Sequence, residues 1–246
     1  MTKKISFSNL NMGLSISNKE YKSLIDELQE KARLLSHYAS KRKKNIILVF
    51  EGWDAAGKGG AIRRLTSKLD PRLYNVISIA APNEVERKHH YLWRFWSRIP
   101  KKGNLTIFDR SWYGRVLVER IEGFAKQEEW SRAYSEILRF ENDLVSGGGI
   151  VLKFWLHITP EEQLNRFNAR KDDPLKRWKL TEEDWRNREK WDVYVQAAEE
   201  MFNFTSTSVS EWNLIPANDK YFARVEILRL FCEKLERELD IPKKFR

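Results

Sequence analysis

Among 246 residues the chain has a single cysteine, Cys232. That excludes a disulfide framework and a cysteine-rich zinc site, and its place in an apolar helical run marks it as a packed thiol. No apolar run approaches the length that spans a bilayer, and the first residues carry no signal-peptide core. The expectation is a soluble, cytoplasmic protein with no membrane partner. His89 and His90 have no partner at metal-ligand spacing, and His157, near a strand end, reads as a satisfied core histidine. There is no internal repeat, low-complexity tract or interdomain linker, so one domain over residues 1–246 is expected. Charge balance is missing too. Forty-five Lys and Arg stand against thirty-five Asp and Glu, a formal charge of +10. A polyanionic partner follows, and nucleic acid, an anionic membrane face and a long phosphate polymer all fit that sign. Neither a helix-turn-helix nor an RNA-binding signature is present, so nucleic acid is not expected.

What the chain does have is concentrated between Asn45 and Ala61. The β-branched apolar run Ile46 to Phe50 reads as a buried strand. Gly52-x-x-x-x-Gly57-Lys58 follows at once, and a helical pattern begins after it. Strand, glycine loop and helix in that order are the context of a phosphate-binding loop. The backbone N–H groups of Gly52, Ala55, Ala56, Gly57, Gly59 and Gly60 are the candidate cradle, aided by the helix dipole and the charge of Lys58. The hydroxyl residue that usually follows the lysine and binds Mg²⁺ is absent, since Gly59 stands there. Asp54 sits within the loop instead. A carboxylate beside phosphates calls for a bridging cation, Mg²⁺ being the natural one.

Leu105 to Asp109 is a short apolar strand ending in a carboxylate, the form of a Walker B element. In a parallel α/β sheet its end lies beside the glycine loop, so Asp109 would face the same metal as Asp54. Arg110 and Arg115 just beyond can fork onto phosphate oxygens. Between Arg166 and Lys179 six bases, Arg166, Arg170, Lys171, Lys176, Arg177 and Lys179, meet only Asp172 and Asp173. A basic stretch there, downstream of a phosphate loop, reads as a lid over about 166–190 that closes on phosphates.

The remaining chain alternates strands and helices. Residues 1–16 read as a loose arm. Ser17 and Glu20 form a capping box opening a helix to about Ser40, with Tyr21, Leu24, Ile25, Leu28 and Leu35 inward. Lys41 to Lys44 reads equally as a charged helix end or as the rim of a polyanion site. Ile62, Leu65 and Leu69 mark a helix ended by Pro71, Val76 to Ala80 a strand, and Glu84 to Arg98 a helix whose aromatics either pack or stack on a nucleotide ring. Trp130 to Val145 is helical, Ile150 to Ile158 a strand, and Thr159 with Pro160 a helix start. A helix from Thr181 to Phe202, a strand from Trp212 to Pro216 and a helix from Asp219 to Leu239 complete an α/β fold, a parallel sheet with helices on both faces.

Glu51 to Gly60, Tyr91-Leu-Trp-Arg94, Phe108 to Arg115 and Lys190-Trp-Asp192 together resemble the polyphosphate kinase 2 family, and the likeness runs from about Ser17 to Leu239. Glycine after the loop lysine is a feature of that family. Ser111 to Arg120 looks most like the subclass that phosphorylates AMP to ADP, many members of which fuse two such domains. The resemblance implies a P-loop kinase-like three-layer sandwich with a basic helical lid, Mg²⁺, and a homo-oligomer. It implies Asp54, Lys58, Asp109, Arg110 and Arg170 as core site residues. It also implies inorganic polyphosphate as donor and a nucleoside phosphate, AMP or ADP, as acceptor. The rival readings are an ATP-dependent nucleoside or nucleotide kinase on the same fold and a non-catalytic module that binds nucleic acid.

Overall fold

The computed structural model describes residues 4–241. Five parallel strands lie in the order β2-β3-β1-β4-β5. In chain order the elements begin with helix α1 (Asn18–Lys41), strand β1 (Ile46–Gly52), α2 (Lys58–Thr66), β2 (Tyr74–Ser78) and the single turns α3 (Glu84–Arg87) and α4 (Trp93–Trp96). β3 (Leu105–Asp109), α5 (Val118–Ile121), α6 (Gln127–Ser146), β4 (Ile150–His157) and α7 (Pro160–Asp172) follow. The chain continues through α8 (Glu182–Glu189), α9 (Trp191–Thr205), β5 (Trp212–Pro216) and α10 (Lys220–Glu238). α1, α2 and α10 pack together over one face of the sheet, and α6 with α9 covers the other. β1 lies between β3 and β4, and both its faces are covered, which is why it reads as an unbroken apolar run. Such an order puts a crevice at the carboxyl ends of β1, β3 and β4.

β4 is buried along its whole length although it contains a lysine. Lys153 Nζ donates to Glu141 Oε2 at 2.7 Å, Tyr113 Oη at 2.9 Å and the Thr205 carbonyl at 2.8 Å. Trp112, Tyr113 and Ser210 also donate to the Glu141 carboxylate. Burial lowers the Lys153 pKa and the adjacent Glu141 opposes that shift. A charge in the core is tolerated because every donor has an acceptor.

Several expectations change. The arm is not loose where it is described. Phe7 is buried, stacks on His157 with ring centroids 4.1 Å apart, and meets Phe202 edge-on at 5.4 Å. Its N–H donates to Glu199, and Ile5 bonds to Asn203 through both backbone groups. One large apolar side chain in a polar stretch suffices to dock it. The helix expected over 84–98 is two single turns, because tertiary contacts outweigh local pattern. Arg94 reaches the Ala80 carbonyl and Arg98 the Glu86 carboxylate. The helix expected over 181–202 breaks at Lys190, whose ammonium binds Glu122 while Trp191 stacks on Trp53 at 3.8 Å. The buried face of α1 is made of Gln29, Ala32, Leu35, Ser36 and Ala39, with Leu24 exposed. Small residues let α10 approach closely; Tyr21 stacks on Tyr221 at the rim. Likewise Phe222 and Val225 of α10 are half-buried, and Ala223 and Ile227 take the inner positions.

His157 is a core histidine, as its strand position implied. Its Nδ1 accepts from Trp53 Nε1 at 3.0 Å, and burial pushes its pKa down from 6.5 to about 4, against a weaker pull from Glu199. The unfolded chain therefore binds a proton over that window and the folded chain does not. Stability from this group is complete above pH 6.5 and is lost as pH falls toward 4. Denaturant midpoints measured from pH 8 down to 4 should fall through this range, and His157→Gln, neutral and still an acceptor, should flatten that part of the curve. Identical slopes would remove His157 from the acid response.

Candidate active site

The glycine loop is held by close contacts behind it. Gly52 has φ +136, and a Cβ there would lie 2.4 Å from the Leu156 carbonyl oxygen, so only glycine lets β1 end against β4. Ala55 takes a left-handed φ of 62 and Gly57, the cap residue of α2, a φ of 107. Strain of this kind persists where the surroundings hold it. Here the holder is Arg166. Its guanidinium is buried and donates to the carbonyls of Ala55 (3.0 Å), Ala56 (2.9 Å), Ala217 (2.7 Å) and Asn218 (2.9 Å), with Glu162 on its Nε. Carbonyls turned back to Arg166 leave the opposite side of the loop to N–H groups, the arrangement an anion needs. Lys58 Nζ folds over the loop, donating to the Gly52 carbonyl at 2.6 Å and the Trp53 carbonyl at 3.1 Å. A Cβ at Gly59 would meet nothing within 4 Å. The missing hydroxyl residue is therefore not a matter of space within the protein.

The loop separates two clefts of opposite character. One, about 280 Å³, is lined by Ala55, Ala56 and Gly57 and by the cations Arg166, Arg170, Lys176, Lys179, Lys220 and Arg224, with no carboxylate and no aromatic ring. Burial, together with Arg166 and Arg224 nearby, pushes the Lys220 ammonium below its ordinary pKa. Cations crowded this way repel one another until an anion joins them. The other cleft, about 70 Å³, is lined by Glu51, Asp54 and Glu183 against Arg110 alone, with Trp53, Trp155 and Tyr194 as aromatic walls.

Asp54 is fully engaged. Its Oδ1 accepts from Arg110 Nη2 at 3.1 Å and its Oδ2 from Asn187 Nδ2 at 2.8 Å, while Gln163 binds its carbonyl. Tyr194 Oη in turn donates to Asn187 Oδ1 at 3.3 Å, so α8 and α9 are tied to the loop through one carboxylate. Asp109 pairs in register with Phe50 of β1, and Arg110, at a left-handed φ of 64, returns its N–H to the Phe50 carbonyl at 3.0 Å. Glu51 is buried beneath them and accepts from Ser111 Oγ at 2.8 Å. Burial raises its pKa, opposed by that hydrogen bond and by Lys58 and Arg110.

Of the bases expected to hold phosphate, Arg170, Lys176 and Lys179 line the cationic cleft, and Arg170 ties α7 to the turn Arg177–Lys179 through the Lys179 carbonyl at 3.3 Å. Lys171 and Arg177 are exposed and line neither cleft; Arg177 Nε donates to the Lys171 carbonyl. Arg115 also lines neither, being paired with Glu119 at 3.2 Å and laid over the Tyr91 ring at 4.5 Å. Arg166 belongs to the fixed scaffold rather than to a lid. Sequence reasoning missed Glu51, Asn187, Gln163, Lys220 and Arg224. Glu51 alone carried a signal, an acid at the end of an apolar strand directly before the loop.

Asp54 lines the acidic cleft, whereas Asp109 lines neither cleft and acts electrostatically on Glu51 and Arg110. Among the described residues no three His, Cys, Asp or Glu side chains form a metal cage. An ion held by Asp54 and Asp109 would take its other ligands from phosphate oxygens and water. Three carboxylates against one guanidinium in the cleft likewise leave a phosphate in need of a cation.

Comparison with known proteins adds lineage to this geometry. Residues 15–243 match the family model described as Polyphosphate kinase 2. The polyphosphate:AMP phosphotransferase of Pseudomonas aeruginosa is 53% identical over 230 residues, 93% of this chain and 46% of that protein. ADP-polyphosphate phosphotransferase 2 of Rhizobium meliloti is 39% identical over 215 residues, 87% of this chain and 70% of that one. Among solved structures, polyphosphate kinase 2 from Arthrobacter aurescens superposes with a TM-score of 0.91 at 30% identity, covering 96% of this chain and 87% of that chain. A putative polyphosphate kinase 2 from P. aeruginosa gives 0.92 at 51% identity, covering 95% of this chain and 51% of that one. The chain thus spans about half the length of the AMP phosphotransferase it matches. With the glycine loop and the three-layer parallel sheet in agreement, the chain belongs to the polyphosphate kinase 2 family.

Proposed function

We propose that the protein transfers the terminal phosphoryl group of inorganic polyphosphate to a nucleoside phosphate, with AMP the preferred acceptor and ADP the product. The observation that carries this is the division of the site by the glycine loop. The cationic cleft has charge for a phosphate chain and no aromatic ring, whereas the acidic cleft is walled by Trp53, Trp155 and Tyr194. A donor without a base on one side and an acceptor with one on the other fits polyphosphate and a nucleotide. A nucleotide donor would want the reverse. The names of the relatives support the same donor, and those of the AMP phosphotransferases the same acceptor.

The acceptor phosphate has its second pKa near ~6 and is largely ionised at pH 7, so no strong general base is required. The difficulty is bringing two anions together. Arg170, Lys176, Lys179, Lys220 and Arg224 hold the donor chain, and the loop N–H groups with Lys58 stabilise charge on the group in transfer. Arg110 neutralises the acceptor side, and Asp54, fixed by Asn187, keeps Arg110 oriented. Asp54 and Asp109 would hold Mg²⁺, which when bound would offset negative charge on the phosphates. One phosphoanhydride is exchanged for another, so the reaction runs in both directions according to concentrations. A cytoplasmic address and a homo-oligomeric state belong to the same proposal.

A coupled assay with Mg²⁺ tests it, offering long-chain polyphosphate or ATP as donor and AMP or ADP as acceptor in separate wells. Product from polyphosphate and AMP is expected. Product from ATP alone would move the protein to the ordinary nucleotide kinases, and silence in every well from folded protein would favour a binding module.

A further inference from the structure

The run Lys41 to Lys44 does not rim the catalytic clefts. It precedes β1, whereas the glycine loop follows it, and β1 has seven residues, which puts the two roughly 20 Å apart along the strand. The fold brings a second basic pair to that same pole. Asn45 clamps the turn before β3, donating to the Pro100 carbonyl and accepting from the Gly103 N–H, both at 3.1 Å. Gly103 packs so tightly on α1 that a Cβ would lie 2.8 Å from the Ser40 carbonyl oxygen. Lys41, Arg42, Lys43 and Lys44 thereby share one surface with Lys101 and Lys102.

Three features set this cluster apart from ordinary solvated charge. First, none of the six side chains makes a hydrogen bond or ion pair among the described residues. Other unpaired surface cations, Lys22, Arg63 and Lys88 among them, occur elsewhere, and Arg229 holds Glu226 and Glu233, but here six unpaired ones share one pole. Second, a helix C-terminus gains from a cation in its last turn, but the effect dies away within that turn; the run continues past it and is then doubled by Lys101 and Lys102. Third, Lys43 has a left-handed φ of 54 at the position after the helix where glycine is favoured. A lysine stands there against both backbone preference and its neighbours' repulsion.

We infer that this pole is a second binding surface for long-chain polyphosphate, remote from the site of transfer. The inference rests on the proposed donor. No aromatic residue lies within 41–45 or 101–104, His37 and Tyr74 beside Gly103 are half-buried, and five of the six cations are lysines, mobile point charges suited to a flexible uniform polyanion. A donor long enough to reach both poles is held at two points, and its second attachment is intramolecular. A short donor touches only the cleft.

The test is the variant Lys43→Gly/Lys101→Gln/Lys102→Gln, with glycine chosen because it suits the backbone at 43. With long-chain polyphosphate its KM should rise about tenfold, while kcat and KM with inorganic tetraphosphate stay at the parent's values. Direct binding of long-chain polyphosphate without acceptor should weaken in parallel and lose part of its salt dependence. That measurement reads the surface even if the wells above are silent, so failure of the proposed reaction and failure of this inference are distinguishable. An unchanged long-chain KM and affinity would overturn it, as would an equal rise with tetraphosphate. Loss of single-stranded RNA binding with polyphosphate binding retained would also overturn it, assigning the surface to nucleic acid.

Discussion

Replacing Lys58 by alanine is expected to lower turnover by about 10²–10³-fold and to leave the fold in place. The ammonium touches only the carbonyls of Gly52 and Trp53. It is half-buried, and of the two acceptors it leaves, the Trp53 carbonyl also takes the Ala56 N–H, so its removal costs about 1 kcal/mol. Its absence matters far more in transfer. The acidic cleft presents Glu51, Asp54 and Glu183 against Arg110, and the moving group brings further negative charge. Lys58 is the cation at the head of α2, where the loop N–H groups converge. Thermal midpoints within a few degrees of the parent, together with the loss of turnover, would bear the assignment out. Near-normal turnover would take the loop out of the mechanism. The midpoint should also respond less to added polyphosphate than the parent's does, because a weaker ligand stabilises less.

Much of this architecture was legible because it rests on local chemistry. β1, β3, β4 and β5 announce themselves as apolar runs, and the caps at Ser17 and Thr159 each hold the N–H three residues on, as their spacing required. The edge strand β2 was displaced by two residues because half its side chains face outward and blur the pattern. What could not be read depends on distant partners. The docking of Phe7 on His157, the break at Lys190 that delivers Trp191 to Trp53, and the contact of Asn187 with Asp54 each join segments more than a hundred residues apart. Charge was the least legible quantity. Six bases between Arg166 and Lys179 look alike in sequence, yet the fold sends Arg170, Lys176 and Lys179 to the cleft, leaves Lys171 and Arg177 outside it and buries Arg166.

Arg166 is therefore the residue whose substitution separates scaffold from lid. Arg166→Ala is expected to destabilise the protein by about 3–5 kcal/mol, the range for breaking a buried charged network. Four backbone carbonyls lose their donor at once, those of Ala55, Ala56, Ala217 and Asn218, and Glu162 loses its partner. The first two belong to the phosphate loop, where Ala55 is held at a left-handed φ of 62. Released from the clamp, that residue relaxes and the cradle of N–H groups loses its shape, so kcat should fall together with stability. Arg166→Lys should not rescue it, since one ammonium cannot span the two pairs of carbonyls that a planar fork reaches. Lys176→Ala provides the contrast. Lys176 is exposed and its partner within the protein is Asp173 on the same turn, a pairing worth little. Its loss should leave the denaturant midpoint unchanged and raise the KM for polyphosphate. If Arg166→Ala instead keeps the parent's midpoint and changes only that KM, the guanidinium is a lid base after all, and the clamp on the loop is not what holds it.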